Sequence, residues 1–529
     1  MNRNSIIIIN IIFIILIISC KSNNKDSNGI VINLGVEPRT IDPALNNNNS
    51  DASYILSAFE GLTRKDQDNN IIPGVAERWE ISEDGLVYTF YLRTNAKWSD
   101  GKPVTANDFV YAWRRVVDPI TASPFSTYLE PIKNAKEVTS GKKTLEELGV
   151  KAIDDYTLEV ILNTPTAYFL AFTGYYTLCP IRKDIIEKYG DNWSLKAETY
   201  IGNGPFKVVE RNIDEKIVMI KNPNYWDIEN IKPEKLTFVM MEDPNASLSG
   251  IKNGSMHLSK SVSRNIAPEL KMENIIENIN LLATAFLRVD GKSDNLKDIR
   301  IRKALSLAID RNYLVKNITR MNEEIAYNYV PKNIQNYDIS RNTNYINDDY
   351  KRNIEEAKKL FAEAGYTNGK GFPVLDLTVG MVEYNVEVCE AIQNMWKENL
   401  GIDVRINKYE YNTYLQFVVS RNAKDLVLYT FFADYNDPIS FLLAFESSSS
   451  INHLNYSNTN YDRLIMIAST NNNLDERTRV LYEAEKLLIE DVGIMPLFYM
   501  NLIILKSQKL KGLQYDPTGF ILFDNAYIE

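Results

Sequence analysis

The amino-acid sequence predicts an α/β protein built from several domains, and three observations carry that reading. The chain has 529 residues, enough for roughly two to four domains. Its composition is that of ordinary globular proteins, 45% hydrophobic and 24% charged. Strand-like runs at Leu375–Val379 and Val404–Ile406 flank an amphipathic helix, the β-α-β order of a parallel-sheet layer.

The first residues are a targeting segment rather than part of the fold. Asn2-Arg3 supplies a positive start, and the apolar stretch Ser5 to Ile18, interrupted by Asn10, is too short for a comfortable membrane span. Its end, Ile17-Ile18-Ser19-Cys20, resembles a bacterial lipoprotein cleavage site. The resemblance implies a signal peptide over residues 1–19, cleavage before Cys20 and acyl chains such as palmitate on its thiol. Two or more chains give stable anchoring. Residues 20–28 are a polar tether.

The mature chain then opens with a strand at Gly29–Leu34, a turn at Pro38–Pro43 and a helical pattern at Ala52–Leu62. Val87, Thr89 and Tyr91 alternate with Tyr88, Phe90 and Leu92, the period of a strand. Ser99-Asp100-Gly101-Lys102-Pro103 is a turn, and Thr105 to Asp108 cap a helix carrying Phe109, Val110 and Trp113. Tyr156–Leu162 alternates again, and Asp184–Tyr189 is helical. Gly202 to Phe206 turns into a strand at Lys207–Glu210 that pairs with Ile217–Lys221. Asp298 caps a helix whose Arg300, Arg302 and Lys303 face solvent. Two further helices stop at Gly365 and Gly401. A long helix at Arg477–Asp491 precedes a buried strand at Ile494–Phe498.

Several function classes are excluded early. The net charge of -10 and the lack of a long basic block argue against nucleic acid. With His257 and His453 the only histidines, a His-rich metal site is not expected, and no cofactor is implied. The chain has no GxSxG elbow, HExxH or credible Cys-His pair, so no enzyme is expected. Cys179 and Cys389 are expected as buried free thiols.

The run from Pro73 to Trp113, with Pro-Gly-Val-Ala-Glu, the Leu92–Asp100 stretch and Val104-Thr105-Ala106, resembles the signature of the peptide- and nickel-binding family of solute-binding proteins that feed ABC importers. Blocks at Gly202–Lys207, Lys221–Asp227, Asp298–Arg311 and Glu355–Tyr366 continue it in the family's order. The resemblance is closest to the oligopeptide-binding branch. It implies a two-lobed periplasmic-binding-protein (Venus flytrap) fold with an extra third domain, class II and cluster C-like. Residues 29–60, 182–282 and 503–529 map to the first lobe, 61–181 to the extra domain and 284–502 to the second lobe.

The second specific string is Phe431-Phe432-Ala433-Asp434-Tyr435-Asn436-Asp437-Pro438, after the apolar strand Leu426–Thr430. Asp437-Pro438 reads as a helix cap. Asp434 has no such duty. In the resembling family an acid here receives the peptide's α-ammonium group, which loses water in a closed cleft and needs a fixed counter-charge. The resemblance also carries pocket roles to Tyr411, Phe431 and Phe125. Thr430, Phe432, Asn385, Asn47 and Asn49 complete the candidate set of ligand-binding residues. Phe432 replaces a cysteine of better-known members. Their basic carboxylate clamps fall on Asn385, Val418 and Leu428, with Lys292 retaining one basic position. Longer peptides with the tail in solvent are therefore expected. The implied partners are oligopeptides, the membrane subunits of an ABC permease and, through Cys20, a bacterial membrane facing the periplasm or exterior. A monomer is expected. A metal chelate, haem or sugar ligand is a weaker alternative on the same fold, and a peptide-binding adhesin or sensor another.

Overall fold

The structure, a computed structural model, describes residues 29–334, 337–338, 345–346, 349–382, 384–449, 451–471 and 473–529. The expected signal peptide, Cys20 and the expected tether lie outside these residues.

An eleven-stranded mixed sheet organises the chain. At one end Leu375–Gly380 pairs in parallel with Val404–Tyr409 and with Leu426–Phe432, the β-α-β layer expected. Towards the other end Gly29–Asn33 pairs in parallel with Lys235–Val239 and Leu258–Ser259, and the hairpin Phe206–Asn212/Lys216–Lys221 forms the edge. Two long antiparallel strands join the halves, Ile276–Val289 and Ile494–Lys506. Their pairing is interrupted between Asn280 and Thr284. On one side of that break Leu505 pairs with Ser259, and on the other Ala285 pairs with Thr430. The molecule is thus two α/β lobes sharing a pair of crossover strands. Parallel sheets need both faces covered. One apolar core runs from the first lobe through the extra domain to residues such as Phe286 and Phe445 of the second lobe, and another lies under the Leu375–Gly380 end of the sheet.

A separate four-stranded antiparallel sheet, Ala76–Ile81, Val87–Leu92, Thr157–Ile161 and Val150–Asp154, forms the extra domain. The helix Ala106–Val117 starts with a capping box in which Asp108 accepts the Thr105 N–H at 2.8 Å. Its Phe109, Val110 and Trp113 are buried.

Several elements differ from the sequence reading. The strand expected at Ile494–Phe498 continues to Lys506, because it pairs along its length with Ile276–Val289, which is one residue longer. That partner shows no apolar alternation, being buried on both faces for most of its length. Arg302 is half-buried rather than solvated, donating to the carbonyls of Asp491 and Leu296. Gly202 packs where a Cβ would stand 1.9 Å from the Ala58 carbonyl oxygen, so no larger residue fits that turn. Cys179 and Cys389 are free and buried, as expected.

Candidate functional site

The strand Leu426–Phe432 is buried at Leu426, Val427 and Leu428 and emerges at Tyr429 to Phe432. It delivers Asp434 to the boundary between the second lobe and the extra domain. The Asp434 N–H donates to Ser440 Oγ at 3.0 Å. Asp437 has a structural duty, accepting the Ile439 N–H at 2.9 Å and two Arg477 bonds at 2.7 and 2.8 Å. The helix runs from Ile439, Pro438 before it is already in helical geometry at φ -57° and ψ -29°, and the Asp437 side chain caps the turn through the Ile439 N–H, as expected.

Asp434 forms no ion pair among the described residues. Burial pushes its carboxyl up to about 6, and the facing Tyr128 hydroxyl opposes that rise. No hydrogen bond of ordinary geometry joins the two, and the Tyr128 hydroxyl lies buried and unsatisfied. The tyrosine is held by aromatic packing: its ring stacks on Phe125 at 4.9 Å and Phe172 at 5.2 Å and meets Tyr175 edge-on at 5.1 Å. Tyr175 donates to Asn49 Oδ1 at 2.5 Å, and Asn49 donates to the Thr518 carbonyl at 3.2 Å. Three parts of the chain thereby converge on one carboxylate.

Of the residues singled out from sequence, Asp434, Phe125 and Asn49 belong to this cluster. Phe431 packs against Phe441 at 5.3 Å and Tyr329 at 6.1 Å, one strand position from the exposed Phe432. Thr430 is half-buried beside them, paired with Ala285. Asn385 and Tyr411 lie elsewhere. Each opens the helix that follows one of two neighbouring parallel strands, Leu375–Gly380 and Val404–Tyr409. Ligands of open α/β sheets bind outside such carboxyl ends. Tyr411 is exposed and stacks on Tyr414 at 6.2 Å. Asn47 is exposed, as is Lys292. Val418 and Leu428 are buried packing residues, so neither presents a side chain to a cleft. Sequence reasoning did not find Tyr128 and Tyr175. Among 31 tyrosines no local signal marks them.

No described residues form a His/Cys/Asp/Glu group able to hold a metal ion, and no described helix is long and apolar enough to cross a membrane.

Two lobes, a crossover pair and, where the second lobe meets the extra domain, a buried carboxylate with no ion pair among the described residues are the architecture of a solute-binding protein. The family model for bacterial extracellular solute-binding proteins, family 5 (middle), matches residues 70–453, and the chain belongs to that family. It is 31% identical to the oligopeptide-binding protein OppA of Bacillus subtilis (strain 168), covering 100% of this chain and 99% of the relative. It is 33% identical to the periplasmic oligopeptide-binding protein OppA of Salmonella typhimurium, covering 95% and 93%. Among solved structures, it resembles the unliganded open form of the murein tripeptide-binding protein MppA, with a TM-score of 0.82, 31% identity and 95% and 97% coverage. It also resembles Haemophilus influenzae OppA in complex with the peptide RPPGFSPFR, with a TM-score of 0.75, 32% identity and 95% and 99% coverage.

Proposed function

We propose that this protein captures oligopeptides between its lobes and delivers them to an ABC permease, performing no chemistry on the ligand. The observation that carries the reading is Asp434, a carboxylate desolvated by its surroundings and left without a counter-charge. Retaining such a group empty costs stability, and a ligand ammonium offsets that cost. Asp434 receives the peptide's α-ammonium group. Phe125, Phe431, Phe432, Thr430 and Asn49 border the first residues of the peptide, and Tyr411, Asn385 and Asn47 lie further along its path. Asn385, Val418 and Leu428 stand at three of the family's basic clamp positions for a C-terminal carboxylate, in keeping with longer ligands. Two related proteins named for oligopeptides and a relative crystallised with a nine-residue peptide support the substrate class.

Residues 29–60, 182–282 and 503–529 act as one lobe, 284–502 as the other and 61–181 as the extra domain. Closure selects the ligand and docking on the permease releases it. Lipid on Cys20 tethers a monomer to the membrane.

Mass spectrometry of molecules released by denaturing the purified protein tests the reading. A mixture of peptides is expected. A single non-peptide compound would overturn the substrate class and leave the fold intact.

A further inference from the structure

Asp434 borders a cavity that continues away from it, between the start of the extra domain and the C-terminal segment. Glu60, Arg64, Lys65 and Asp524 supply its other charged groups. All but one of these four are already committed. Glu60 accepts from the Tyr225 hydroxyl at 2.5 Å and from Trp226 Nε1 at 2.7 Å. Arg64 pairs with Asp227 at 2.7 Å and donates to the Tyr225 hydroxyl at 3.2 Å. Lys65 pairs with Asp516 at 2.6 Å. The Asp524 carboxylate has no ion pair and no side-chain hydrogen-bond partner among the described residues. Asp524 is half-buried and lines the cavity.

The cavity thus contains two unneutralised carboxylates, Asp434 at one part of its wall and Asp524 at another. Apolar groups of Ala171, Tyr175, Phe520 and Leu522 complete it. It offers about 70 Å³ to water centres, room for about five waters and so for the heavy atoms of a lysine side chain. A ligand that fills it gains most by bringing two cations joined by an apolar stem.

We propose that Asp524 selects peptides whose first residue carries a cationic side chain, the α-ammonium meeting Asp434 and the side-chain cation meeting Asp524. The proposal rests on the peptide-binding reading and deepens it. The protonation of Asp524 agrees with the charge count. Burial pushes its carboxyl up to about 7; Arg64 opposes the rise, and Glu60 and Asp227 add to it. An arriving cation ionises the group and expels its proton.

The test is calorimetric titration of the detergent-purified full chain with two pentapeptides that differ only in having lysine or alanine first. The lysine-first peptide is expected to bind wild type about ten- to a hundredfold more tightly. Asp524→Asn is expected to bring the ratio near one and to leave alanine-first binding unchanged, which also reports an intact fold. A wild-type ratio near one, or a ratio that survives in Asp524→Asn, overturns the assignment of Asp524 alone. Loss of binding for both peptides in wild type overturns the peptide reading and this inference with it. A readout that needs no variant is proton release at pH 7. The lysine-first peptide is expected to release about half a proton more than the alanine-first one, and equal release overturns the proposal.

Discussion

Tyr435 stacks on Tyr168, their ring centroids 4.8 Å apart and their planes 17° from parallel. The contact fixes the residue beside Asp434 against the segment that follows the four-stranded sheet, and Phe172 closes on the same Tyr435 ring edge-on at 4.8 Å. Asp434 is positioned by aromatic packing and not by an ion pair. That arrangement holds a carboxylate where the second lobe meets the extra domain while leaving its charge unspent.

The first consequence is for stability. Asp434 has a folded-state value near 6 against an ordinary 3.8. Below about pH 3 it is protonated both folded and unfolded and contributes nothing. Above about pH 6 it is ionised in both, and its burial costs the ligand-free fold about 2–3 kcal/mol. Asp434→Asn is therefore expected to unfold at higher denaturant concentration than wild type at pH 7.5, with the difference gone at about pH 3. Equal midpoints at pH 7.5 would contradict this.

Ligand binding carries the opposite dependence. A peptide ammonium requires the ionised carboxylate, so affinity is expected to fall about tenfold per pH unit below pH 6. Calorimetry at pH 7.5 and pH 5 measures it. Asp434→Asn should bind weakly with a flat profile over that range, and a wild-type profile that is itself flat would exclude Asp434 as the anchor.

A buried charge pair ties the early loop to the extra domain. Asp42 accepts two Arg115 bonds at 2.8 and 2.7 Å and the Trp193 indole N–H at 2.8 Å. Asp42→Ala leaves Arg115 buried and unpaired, a loss of about 3–5 kcal/mol. Urea denaturation is expected to show that loss while the variant, folded at low urea, still binds peptide. A midpoint unchanged from wild type would mean that water replaces the lost carboxylate.

Cys179 and Cys389 are enclosed in separate cores, and burial pushes both thiols up. Neither should react with an aromatic disulfide reagent in the native protein at pH 8, and both should react in denaturant. Rapid labelling of either thiol in the native state would show that its core opens.

Much of the local structure was legible in the residues. Val87–Leu92 alternates because one face of its strand is buried, and the structure has the strand at those residues. The Thr105/Asp108 cap and the glycine stops at Gly365 and Gly401 are backbone chemistry over a few positions, and both glycines take positive φ. Ile276–Val289 was not legible, since a strand buried on both faces has no period to read. Its length and that of Ile494–Lys506 set each other through pairs such as Glu277 with Ile504, more than two hundred residues apart.

The site divides in the same way. Asp434 could be picked out because its neighbour Asp437 has a duty that local sequence explains and Asp434 has none. Tyr128, Tyr175 and Asp524 carry no such mark, and their importance comes from what faces them.

By itself, then, the sequence determined the α/β class, the family signature, the turns and caps, and one suspect carboxylate, because propensity and turn chemistry act between near neighbours. Only the tertiary structure decided which strands cross between lobes, that Val418 and Leu428 pack inside a core, and that Asp434 and Asp524 border one cavity with no ion pair among the described residues. Those are matters of burial and long-range pairing, and desolvation has no meaning for a residue until the rest of the chain has closed around it.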